Sequence, residues 1–83
     1  MLDRSREFRV DVPPDLMKAA KNISHLMGFP LDAVAQVIAI GAGLNILRRL
    51  RDGSMQEWKL DPEQQMLINQ IRQDPDLIKL LES

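Results

Sequence analysis

The chain has 83 residues, with eleven Lys/Arg against twelve Asp/Glu and a formal net charge of −1. That length makes one small domain with a marginal core, a shortfall that oligomerisation commonly remedies. There is no cysteine, which excludes disulfides and thiolate metal sites and fits a cytoplasmic location.

From the N-terminus, residues 1–6 read as a polar arm. Asp3, Arg4 and Arg6 interrupt it, so no apolar signal segment is expected. Glu7–Pro14 follows as Glu-Phe-Arg-Val-Asp-Val-Pro-Pro. Phe8, Val10 and Val12 alternate with Glu7, Arg9 and Asp11, the period of a strand with one apolar face. Pro13 and Pro14 end it, because proline has no N–H for a ladder. No second strand candidate follows, so the expected partner is the same strand of a second copy.

Pro14 suits the first position of a helix, and Asp15 suits its first turn. Leu16, Ala19, Ala20, Ile23 and Met27 make one apolar stripe along that helix. Gly28 is placed as its left-handed cap. Phe29-Pro30-Leu31 is the turn, and Asp32 can cap a second helix through its carboxylate. That helix carries Val34, Val37, Ile38, Leu44 and other apolar residues around most of its circumference, which predicts burial on several sides. Its apolar stretch, Ala33–Leu47, falls short of the roughly 20 residues a membrane span needs. Gly41 and Gly43 lie inside it and cost about 1 kcal/mol each relative to alanine. Their expected role is close helix–helix approach at a dimer axis; the alternative is a break near Gly41. A phosphate-cradling loop does not fit, since Gly-Ala-Gly lacks the P-loop lysine and a preceding strand.

Arg48, Arg49 and Arg51 close the helix where the macrodipole favours positive charge. Residues 54–83 then form an acidic extension. Residues 52–83 hold seven acids against three bases, whereas residues 1–51 hold five against eight. Asp61-Pro62 and Asp74-Pro75 each open a short helix. Leu67 and Ile71, like Leu77 and Leu81, are four apart and give each helix a face to bury. Either the protein's own body or a second protein could take that face, and self-packing is the favoured reading. Trp58 reads as the anchor between this extension and the core. His25 is the only histidine, and no nucleophile–base pair or metal-ligand cluster stands out. No cofactor and no enzymatic activity are expected.

The order strand, proline, helix, glycine, short turn, apolar helix spans about Arg6–Leu50. It resembles the ribbon-helix-helix family, the Arc- and MetJ-like repressors. The resemblance implies a mainly α fold with one intermolecular antiparallel two-stranded ribbon, formed by residues 7–53 of two chains. In such a homodimer Phe8, Val10, Val12, Leu16, Val34, Val37, Ile38, Gly41 and Leu44 would form the shared core. The ribbon would enter the DNA major groove with Glu7, Arg9 and Asp11 toward the bases. Arg4 and Arg6 would reach phosphates, as would the second helix's N-terminus at Leu31 and Asp32. The implied function is a transcriptional repressor or an antitoxin.

Three features depart from the family. Glu7 and Asp11 turn carboxylates toward phosphate, Pro30 lacks an N–H, and Asp32 adds negative charge. They motivate an alternative, a dimeric protein-interaction module on the same fold that no longer binds DNA. A monomeric helical protein with no ribbon ranks behind both.

Overall fold

The computed structural model describes residues 9–82, and these form four α-helices and one 3-10 turn. Helix α1 is Pro14–Met27, α2 is Leu31–Asp52, α3 is Pro62–Arg72 and α4 is Pro75–Glu82; the 3-10 turn is Glu57–Lys59.

Local chemistry sets the boundaries. Proline opens α1, α3 and α4, where its missing N–H leaves no bond unmade. Gly28 ends α1 at φ 74°, and its N–H donates to the Ser24 carbonyl at 2.9 Å. Gly53 ends α2 at φ 84°. These are left-handed conformations that glycine adopts without Cβ strain. At α3, Asp61 Oδ1 accepts from the Gln64 N–H at 2.8 Å, and Gln64 Oε1 accepts from the Asp61 N–H at 3.1 Å. This reciprocal pair is a capping box. At the start of α4, Asp74 Oδ1 accepts from the Asp76 N–H at 3.0 Å.

The core lies where α3 and α4 cover one side of α2. Leu44, Ile46 and Leu47 of α2 meet Leu67, Ile68 and Ile71 of α3 and Leu77 of α4, all buried; Leu81 packs at the edge. Leu67, Ile68, Ile71 and Leu77 of the extension thus pack on the chain's own second helix. Helix α2 runs unbroken through both glycines, which serve different ends. A Cβ at Gly43 would collide with Ile71 Cδ1 and lie 3.3 Å from Leu67 Cγ, so the missing side chain lets α3 approach. A Cβ at Gly41 would meet nothing within 4 Å. By length and apolar content α2 would suffice to cross a membrane, although its apolar stretch in the sequence is expected to be too short. Its packed side supplies much of the core.

The structure corrects the ribbon-helix-helix expectation. The described part of the expected strand, Arg9–Pro13, has no regular structure, and no strand occurs among the described residues. Glu7 and Phe8, like Arg4 and Arg6, lie outside those residues. The hydrogen bonds give the physical reason. The Val10 N–H donates to Gln36 Oε1 at 2.8 Å, and Gln36 Nε2 donates to the Val10 carbonyl at 2.9 Å. One glutamine amide thus supplies the donor and the acceptor that a neighbouring strand would have offered. The next residue is held in the same manner. The Asp11 N–H donates to Gln70 Oε1 at 2.7 Å, and Gln70 Nε2 donates to Asp11 Oδ2 at 3.1 Å. With these groups engaged inside the chain, a ladder to a second copy has nothing to bind at Val10. Val10 is buried, as the alternation suggests, but in the core of its own chain, with Val12 and Leu16 packed against that core.

Candidate functional site

The described residues expected to read DNA are drawn into the chain's own contacts. Arg9 makes a two-pronged pair with Asp32: Nη2 lies 2.9 Å from Oδ1 and Nη1 lies 3.0 Å from Oδ2. The hydrogen bonds from Arg9, and then its charge, hold the Asp32 carboxyl below the usual carboxylate range. Asp32 therefore turns to Arg9 instead of capping α2, whose N-cap is Pro30 with no side-chain hydrogen bond. The first turn of α2, expected to hold a phosphate at Leu31 and Asp32, carries an arginine–carboxylate pair. Asp11 is occupied by Gln70.

No metal-ligating cluster replaces these positions. Among the described residues, no group of three or more His, Cys, Asp or Glu could hold a metal ion. His25 is exposed in the last turn of α1. A cleft between Leu16, Ile46 and Leu67 is rimmed by Asp15, Asp61 and Glu63, and Asp61 there is committed to capping α3.

The prominent surface feature is apolar. Helices α1 and α2 form a hairpin, and a groove runs along it with no charged side chain in its lining. Helix α1 contributes Ile23 and Met27, the turn contributes Phe29 and Pro30, and α2 contributes Ala33, Val34, Val37 and Ile38. Met27 is 62% exposed, Phe29 56% and Val37 71%; Leu26 and Leu31 beside them in sequence are exposed too. The hairpin has this open face because α1 buries only Ala20. Ile23, Leu26 and Met27 extend beyond that contact, and α3 and α4 lie against the chain's main core.

The expected dimer-core residues therefore divide into two sets. Val10, Val12, Leu16 and Leu44 serve the core of the single chain. Val34, Val37, Ile38 and Gly41 lie half-buried or exposed on α2. The groove itself is not singled out by the sequence pattern, although Ile23 and Met27 belong to the stripe expected to be buried. The signal for it is that stripe together with an α2 apolar on too many sides for the rest of the chain to cover. Trp58 is also corrected: it is 79% exposed, with Lys59 Nζ 5.3 Å from its ring centroid, and it anchors nothing in the core. Its place in the 3-10 turn is supported instead by Glu57, which pairs with Arg72 at 2.8 Å.

Compared with protein-family models, with curated proteins and with solved structures, the chain has no match. The ribbon-helix-helix resemblance thus has no matching family behind it.

Proposed function

We propose that this protein is a protein-interaction module, and that its docking face is the apolar side of the α1–α2 hairpin, occupied by a second copy of the chain. The observation that supports the reading is the uncharged groove with Met27, Phe29 and Val37 largely exposed around it. Contiguous apolar patches beyond a few hundred Å² on a soluble chain mark interaction surfaces. Ile23, Leu26, Met27, Phe29, Leu31 and Val37 are each more than a third exposed. Together they leave several hundred Å² of apolar surface, the order of the roughly 800 Å² each partner gives to a standard interface. A surface without charge does not repel its own copy, so a self-complementary pairing carries no electrostatic penalty.

DNA is the less suitable partner. The net charge is −1, and Arg9 is already neutralised by Asp32. Phosphate contacts dominate affinity for DNA and need free cationic groups.

Sedimentation equilibrium tests the reading. The wild type should be a dimer at tens of micromolar. Val37→Asp should be a monomer with an unchanged far-ultraviolet spectrum, since Val37 is exposed in the single chain. A wild-type monomer at that concentration overturns the proposal. So does a salt-sensitive affinity for double-stranded DNA that survives Val37→Asp.

A further inference from the structure

We infer that the two copies cross α2 on α2 at Gly41, so that this glycine marks the two-fold axis of the assembly. The inference rests on the homodimer proposed above and adds its geometry. Its starting point is the contrast between the two glycines of α2. Gly43 is explained within the chain, because a Cβ there would strike Ile71. Gly41 has no such reason: it is exposed, helical, and has open space where its Cβ would stand. A glycine in mid-helix weakens the helix, and nothing among the described residues compensates.

The surroundings say what approaches. Ala33, Val37, Gly41 and Asn45 are four residues apart and all exposed, so they form one row along the helix. Ala33 and Val37 are also walls of the apolar groove, which makes the row continuous with the hairpin face. Gly41 lies at the middle of Leu31–Asp52. A symmetric crossing at mid-helix buries the greatest length of both helices, and the residue on the axis meets its own counterpart. Rows spaced by four interdigitate at a crossing angle of about −50°, and a glycine at the crossing allows a close approach of the backbones. The row is uncharged from Ala33 to Asn45, and the exposed Arg48 and Arg49 lie seven and eight residues beyond Gly41, about two turns from the crossing.

The natural chain has no cysteine, which makes the axis directly testable. Gly41→Cys should form a disulfide-linked dimer under mild oxidation, because residues on the axis fall within the Cα separation of about 4.4–6.8 Å that a disulfide requires. Lys59→Cys, exposed in the 3-10 turn beyond the C-terminal end of α2, should remain largely uncrosslinked under the same conditions. Gly41→Leu should retain the helical spectrum and melting temperature of a dilute sample, since its side chain enters open space. It should weaken the dimer at least tenfold in sedimentation equilibrium. Gly41→Ala should weaken it less while the helix gains stability. If the wild type dimerises and Val37→Asp dissociates it, yet Gly41→Cys crosslinks no better than Lys59→Cys, the crossing is wrong and the hairpin dimer stands. The crossing is equally wrong if Gly41→Leu leaves the affinity unchanged. A monomeric wild type removes both.

Discussion

Gln36 takes the place of a neighbouring strand. Its amide carries one acceptor and two donors, and it meets both backbone groups of Val10 at 2.8 and 2.9 Å. Val10 is buried, so its N–H and carbonyl have no ready replacement in water. Leaving a buried polar group unsatisfied costs about 1–3 kcal/mol. Gln36→Leu should therefore lower the unfolding free energy by about 2 kcal/mol in urea titration. Gln36→Glu should also be destabilising near neutral pH, because a carboxylate accepts from the N–H but cannot donate to the carbonyl. Gln36→Leu as stable as the wild type would show that the clasp contributes nothing.

The Arg9–Asp32 pair belongs to the same scale, and its pH dependence has a definite sign. A carboxylate whose folded pKa is depressed contributes stability above its unfolded pKa and loses it as pH falls through the folded value. Asp32 is depressed by Arg9, Glu57 by hydrogen bonds from Arg72 and Gln65, and Asp52 by Ser54. The contribution of these three groups should be steady from pH 7 to about 5 and decline below about pH 4. Asp32→Asn should remove only a small part of that decline, since the pair is exposed and screened. A melting temperature that climbs from pH 5 to pH 3 contradicts this assignment.

Helix α2 is the element on which the others depend. Its Gly43 side receives α3, and that contact leaves no room for a methyl group. Gly43→Ala should cost about 1–3 kcal/mol through overpacking against Ile71, despite alanine's better helix propensity. Equal or greater stability in chemical denaturation would mean that Ile71 moves aside freely. The helix ends were legible in the sequence because each is decided within a few residues. Pro14, Gly28, Asp61-Pro62 and Asp74-Pro75 all stand at the boundaries they announce. The strand was not legible correctly. Alternation at Val10 and Val12 reports an apolar side, and Val10 is indeed buried. It cannot report what satisfies the backbone, and glutamines 26 and 59 residues further along the chain answer that question. Trp58 failed for a related reason: size and hydrophobicity argue for burial, but position on a short exposed turn decides.

At the scale of the molecule, the single chain leaves two surfaces unequal. Around α3 and α4 the apolar residues of α2 are covered; beside α1, Ala35 is buried but Ala33 and Val37 are open. The sequence predicts an α2 that is apolar on more sides than a small chain covers, with a second copy as the expected occupant. It could not show which side the extension would take. If the open side is closed by association, folding and association are linked by mass action. The wild-type melting temperature should then rise with protein concentration from micromolar to hundreds of micromolar, while that of Val37→Asp stays constant. A concentration-independent wild type would contradict the linkage.

The glutamine clasp also bears on the order in which the chain assembles. Its bonds join residue 10 to residue 36 and residue 11 to residue 70, so they close the longest loops among the hydrogen bonds described. Loops of that length are costly to close before other contacts hold their ends together. The contacts of α2 with α3 and α4 span similar separations, such as Gly43 to Ile71, but Gln70 can hold Asp11 only once α3 is packed on α2. The N-terminal segment is therefore expected to dock after the helices, on the native side of the folding barrier. Gln36→Leu then acts mainly by accelerating unfolding, with the folding rate little changed. The backbone stretch that resembles a strand thus becomes the piece that completes the core, with Val10 as its buried member.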